Sequence, residues 1–208
     1  LMNCNASVYI SYGSSGAMVS ANTISNNLDY GIRLFNTTNN VISGNTVSNN
    51  PDGISLGSFS SSNTISNNVA TSNQYGIRVY NSTGNTVQAN TLTGNFYGLY
   101  VFTNATGNTI QGNTISNNQY GLRVVDARDN VLRSNTMNNN VYNFWVYGEH
   151  QFDFMEDIDT TNKVDGKPVY YWVNRSNQQV PLDAGYVAVI NSTNITVKDL
   201  TLSRNYHG

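Results

Sequence analysis

The sequence predicts an all-β fold: a right-handed parallel β-helix, a solenoid with three short strands in each coil of about 22–23 residues and one β-hairpin insertion. Three observations predict it. The stretches YGIRLFNTTNNVISGNTVSNN at Tyr30, YGIRVYNSTGNTVQANTLTGN at Tyr75 and YGLRVVDARDNVLRSNTMNNN at Tyr120 begin 45 residues apart. Glycines 31, 53, 76, 98 and 121 are separated by 22, 23, 22 and 23 residues, and Asn143 extends the series by another 22. None of the short segments within each repeated coil runs beyond about six residues before Gly, Asn or Ser interrupts it, which excludes useful helices and favours short strands. Leucine-rich repeats share the period, but their fixed leucine pattern is absent.

The first strand of each coil follows the repeated glycine. Alternation sends Ile32 and Leu34, Ile54 and Leu56, Ile77 and Val79, Leu99 and Val101, Leu122 and Val124, and Phe144 and Val146 inward. The intervening residues face out. One outward column reads Arg33, Ser55, Arg78, Tyr100, Arg123, Trp145, and the next reads Phe35, Gly57, Tyr80, Phe102, Val125, Tyr147. A third column, Tyr30, Tyr75, Tyr97, Tyr120 and Tyr142, precedes the glycine. Arginine on alternate coils keeps like charges about 9.6 Å apart. Such a face is either a solvated sheet held by its own stacking contacts or a surface for a sugar chain, which aromatic faces and fixed guanidinium donors suit.

The bends carry two asparagine columns: Asn40, Asn63, Asn85, Asn108 and Asn130, then Asn45, Asn68, Asn90, Asn113 and Asn135. Stacked one above another, their amides can bond to one another and to local backbone, and asparagine tolerates the left-handed conformation of tight bends. These columns are read as structural ladders. Seven Asn-x-Ser/Thr sequons occur, and those at Asn36, Asn81, Asn104 and Asn191 fall on a bend from which a glycan can project.

From Glu149 to Asp159 the character changes, with five of the twelve acidic residues in the chain. Alternation through Phe152-Asp153-Phe154 and Ile158-Asp159 reads as a solvated strand edge; the other readings are paired catalytic carboxylates, or calcium held by Asp153, Asp157 and Asp159. Asp165-Gly166 is a two-residue hairpin turn, and Pro168 marks an edge strand. Gly185–Gly208 resumes the coil, with Tyr186 at the place of the repeat glycine and Gly208 one coil of 22 residues later. The expected organisation is one continuous solenoid: coils over 1–148, an irregular coil plus hairpin insertion over 149–184, and a resumed coil over 185–208. Leu1-Met2-Asn3 aligns with Leu34-Phe35-Asn36, so the chain is expected to be truncated and uncapped at both ends, open to flanking modules or further copies of itself.

Charged residues make up only 11% of the chain, its net charge is −2, and asparagine supplies 36 of its 208 residues. That gives no basic stripe for nucleic acid. No apolar run approaches the roughly 20 residues of a membrane span. Cys4 is the single cysteine, so no disulfide framework or CxxC knuckle exists.

The NTISNN and YGIRL repeats, with IDTTNKVDGKPVYYWVN and AGYVAVINSTNITVKDLTL, resemble archaeal surface proteins with right-handed β-helix repeats, grouped with the periplasmic copper-binding (NosD-type) family. The resemblance covers nearly the whole chain, and VDGKPVYYWVN is its most specific part. It implies an exported, extracellular β-helix, often one module of a larger cell-surface protein and sometimes related to carbohydrate-binding and sugar-hydrolysing domains. Copper is not supported by the residues: soft sites need clustered ligands, whereas Met2, Met18, Met137, Met155, Cys4, His150 and His207 are scattered. Polysaccharide lyases and epimerases of this fold set acids among Lys or Arg on one face. Here Arg33, Arg78 and Arg123 are present, but no carboxylate shares their column and Asp52 is the nearest. The expectation is a non-catalytic structural or adhesive module of a surface layer, sheath or adhesin, with no cofactor. The alternative is a carbohydrate-binding or polysaccharide-cleaving module acting through Arg33, Arg78, Arg123, Tyr100, Trp145, Tyr80, Phe102 and Tyr147.

Overall fold

A computed structural model describes residues 5–206. Leu1–Cys4, His207 and Gly208, on which the alignment of the first residues, the last 22-residue spacing and part of the scattered soft-ligand set rest, lie outside the described residues. Seven coils stack as parallel β-sheets. The first sheet holds Ala6–Ser11, Tyr30–Phe35, Asp52–Gly57, Tyr75–Tyr80, Tyr97–Phe102, Tyr120–Val125 and Tyr142–Tyr147. Through the sixth coil, three-residue strands build the other two sheets, Val41–Ser43 and Thr46–Ser48 being typical. Register advances by one repeat per coil, with Tyr30 opposite Asp52 and Asp52 opposite Tyr75.

The predicted inward residues form the core: Ile32, Leu34, Ile54, Leu56, Ile77, Val79, Leu99 and Val101 are fully buried. Each three-residue strand adds one more apolar side chain, such as Ile42 or Val47. The repeated glycine is explained by crowding. A Cβ on Gly76 would stand 2.6 Å from the Gly98 carbonyl oxygen and 3.0 Å from Asn95 Nδ2.

Three asparagine ladders run through the bends. Two are those read from the sequence; the third, Asn27, Asn50, Asn73, Asn95, Asn118 and Asn140, was missed, although it follows the second by the same five residues. In every ladder the side-chain oxygen of one Asn accepts from both the backbone N–H and the side-chain amide of the Asn one coil before, as Asn108 does from Asn85 at 2.9 and 3.1 Å. The left-handed backbone falls one residue earlier than expected. Asn39, Gly44 and Asn49 adopt positive φ, immediately before ladder residues Asn40, Asn45 and Asn50, and the ladder residues themselves do not.

The end of the stack departs from the sequence reading. Gln151–Phe154 is a 3-10 helix rather than a strand, and Asp153 and Glu156 are buried rather than solvated. The hairpin forms as predicted, Lys163–Val164 pairing antiparallel with Lys167–Val173 around a turn with positive φ at Asp165 and Gly166. Pro168 nevertheless lies on an internal strand, because Lys167–Val173 also pairs with Tyr186–Ile190. That second pairing sets Tyr186 opposite Val169, a 17-residue step, so Tyr186 joins the third sheet instead of taking the repeat-glycine place. The C-terminal side of the core is covered rather than bare. Val169, Tyr171 and Tyr186 are buried beneath the seventh coil, with the Tyr186 ring edge-on to Phe144 at 4.9 Å.

Candidate functional site

The first sheet presents the predicted Arg and aromatic columns on one face. Phe35, Tyr80 and Phe102 are half-buried and Tyr147 is exposed. Coil spacing brings the tyrosine column into a continuous stack: Tyr75 to Tyr97 at 4.9 Å, Tyr97 to Tyr120 at 5.0 Å, Tyr120 to Tyr142 at 5.2 Å. Tyr100 lies on Tyr97 at 5.1 Å and on Phe102 at 4.4 Å. Burial raises the Tyr75 and Tyr100 hydroxyls above the usual phenol range, so both remain protonated hydrogen-bonding groups at neutral pH.

The arginines are held by this aromatic surface. Arg33 lies over Tyr30 at 4.4 Å and Phe35 at 5.0 Å; Arg78 lies near Tyr75 and Phe102; Arg123 lies over Trp145 at 3.8 Å. Their planes are thereby fixed while an edge of each remains half-exposed. Asp52 occupies the tyrosine column on the third coil, only 4% exposed, with its carboxylate 3.0 Å from the Arg78 guanidinium. Burial raises its pKa, opposed by Arg78, by a hydrogen bond from Ser55 and by Arg33. On the seventh coil Trp145 is covered by Tyr206 at 4.0 Å, a contact no sequence periodicity could have shown.

The acids of the irregular segment do not converge. Asp157 and Asp159 both pair with Arg133, at 2.5 and 3.3 Å, while Asp153 accepts from the His150 backbone at 2.9 Å. Among the described residues no group of three or more His, Cys, Asp or Glu could hold a metal ion. Glu156 has a structural place that sequence reasoning missed. It substitutes for the next Asn of the first ladder, accepting from Asn130 N at 2.6 Å and Asn130 Nδ2 at 3.2 Å. Burial pushes its pKa up to about 7 against those two hydrogen bonds. Asn162 and Asn143 end the other two ladders in the same way. Of the sequon residues, Asn36, Asn104 and Asn191 are exposed and Asn81 is half-buried.

The family model described as a right handed beta helix region matches residues 2–115. The chain belongs to the right-handed β-helix family. Within that family it is NosD-like, since the model for the periplasmic copper-binding protein (NosD) matches residues 101–173, including both strands of the hairpin. Among solved structures, this β-helix is similar to the periplasmic alginate epimerase AlgG, at 20% identity and a TM-score of 0.62 over 88% of this chain and 45% of that chain. It is also similar to tailspike protein 2 of Escherichia coli O157:H7 bacteriophage CAB120, at 12% identity and a TM-score of 0.56 over 95% of this chain and 28% of that one. The chain thus spans less than half the length of either, and the likeness is one of fold. No curated protein matches it. Among the described residues the soft ligands are not brought together for copper: Met18 is exposed on the second sheet near the start of the stack, whereas Met137 is fully buried in the core of the sixth coil.

Proposed function

We propose that this β-helix is a non-catalytic adhesive module of an envelope or extracellular protein, holding a polysaccharide strand along the first sheet without a cofactor. The observation that carries this reading is the row of Arg33, Arg78 and Arg123, each oriented by aromatic rings, on alternate coils of one straight face. A linear polymer laid across the coils meets a cation about every 9.6 Å with stacking rings between, a repeat that a single small molecule would not use. Asp52, the carboxylate among these columns, is buried against Arg78 and so is poorly placed to take a proton from a substrate. An exported setting accords with the periplasmic location named for both the copper-binding protein family and the epimerase. On an exported chain, Asn36 and Asn104 are the sequons whose exposure suits a glycan.

Titration with oligoalginate and with a neutral oligosaccharide of equal length, by calorimetry, tests the reading. We expect saturable binding that weakens about tenfold in Arg78→Ala or Arg123→Ala, the loss of one charge-assisted hydrogen bond, with the oligosaccharide recovered at its original length. Binding of equal strength in both arginine variants, or a shortened product, overturns it.

A further inference from the structure

The second sheet ends at Asp157–Ile158, the terminal strand of its stack, while Lys167–Val173 and then Tyr186–Ile190 continue the third sheet. The next pair of strands, Ser176–Gln179 and Thr193–Thr196, forms a separate two-stranded sheet. Where a regular solenoid would lay another strand on Asp157–Ile158, this chain leaves a cavity of about 410 Å³. That is within the roughly 300–1,000 Å³ typical of small-molecule sites.

The walls of this cavity differ in chemistry. Ile158, Val169 and Val173 supply apolar lining, and the half-buried Trp172 supplies an aromatic surface. Asp159, the exposed Thr160 and the exposed Arg175 supply an acceptor, a hydroxyl and a donor fork. The charges balance locally: Arg133 pairs with both Asp157 and Asp159, and Glu156 at the back is committed to Asn130. A bare cation finds its carboxylates already paired, and a bare anion finds one exposed guanidinium beside acids. An uncharged ring with hydroxyls on its edges uses both wall types at once, stacking on the indole and bonding at the rim.

We propose that this cavity is a second carbohydrate subsite, separate from the first-sheet face, which takes one or two neutral sugar rings stacked on Trp172 and hydrogen-bonded by Asp159, Thr160 and Arg175. It does not depend on polymer binding by the arginine row. The test is calorimetric titration of the whole chain with cellobiose, maltose and chitobiose, with glycerol as a ringless polyol and spermidine as a cation. The expected result is saturable binding of at least one disaccharide and none of glycerol or spermidine. Trp172→Ala should abolish it, Trp172→Tyr should retain it, and Arg78→Ala on the other face should leave it unchanged. Thr160→Arg, an exposed change that obstructs the mouth and leaves the buried residues intact, should also abolish binding, which keeps the test decisive should Trp172→Ala unfold. Silence of all three disaccharides, spermidine as the sole binder, or unchanged disaccharide affinity in Thr160→Arg overturns the proposal.

Discussion

Replacing Asn85 by leucine removes one rung from the middle of the first ladder. The Asn85 side-chain oxygen accepts from Asn63 N at 2.9 Å and Asn63 Nδ2 at 3.0 Å, while its amide donates to Ser60 O, Thr83 O and Asn108 Oδ1. Leucine leaves the two Asn63 donors without that acceptor, and Asn63 is only 1% exposed. A buried donor left unsatisfied costs about 1–3 kcal/mol, so the pair costs about 2–6 kcal/mol. The buried methyl groups of leucine return part of this, about 1–2 kcal/mol, and a net loss of about 3 kcal/mol remains. For a chain of this size that lowers the melting temperature by about 6–12 °C. Far-UV circular dichroism melts of Asn85→Leu, with Gln74→Leu as an exposed control, measure it. A shift no larger than that of the control would refute the ladder as a source of stability.

The other predictions concern positions where the repeat is forced or broken. Gly98→Ala would place a Cβ 2.6 Å from Ile115 Cγ2 and 2.8 Å from the Gly121 carbonyl oxygen, whereas Gly57→Ala meets nothing nearer than 3.7 Å. The first should therefore destabilise by about 2 kcal/mol or more and the second by less than about 0.5 kcal/mol in urea melts. Arg33→Ala and Arg123→Ala should each leave folding and stability intact, since each guanidinium is half-exposed and lies over rings that stack without it, whereas Arg78→Ala should keep the fold but melt at a lower temperature, because the buried Asp52 loses its partner. Circular dichroism spectra matching the parent, with a lowered melt in Arg78→Ala alone, check this. Glu156 gives a pH signature. Its folded pKa of about 7 lies above the ordinary value of 4.5, so its contribution is fully present below about pH 4.5 and is lost as pH rises to about 7. Glu156→Gln keeps an acceptor without the titration. The melting temperature of the parent relative to this variant should fall between pH 5 and pH 8, and parallel curves would contradict the assignment.

Legibility in the sequence follows the physics of stacking. A coil that must repeat its bends, its inward side chains and its crowded glycine writes each requirement once per 22–23 residues, so columns such as Ile32, Ile54, Ile77 and Leu99 declare themselves. The left-handed positions stayed hidden because several residue types serve there. Asn39, Ser62, Gly84, Gly107 and Asp129 occupy one column, and only their place before a ladder asparagine unites them. Glu156, Asn162 and Asn143 were harder still. Each occurs once and accepts from the last ladder asparagine as an internal rung would, but stands 26, 27 or 3 residues from it instead of 22–23: Glu156 with a carboxylate, Asn162 with an amide, and Asn143 with an amide that is itself tied to Asp165 Oδ2 at 2.9 Å. The same reasoning separates the two candidate sugar surfaces. The arginine face is built from columns and could be read from spacing alone. The Trp172 cavity exists because a column stops at Ile158, and a period carries no information about residues beyond its last repeat.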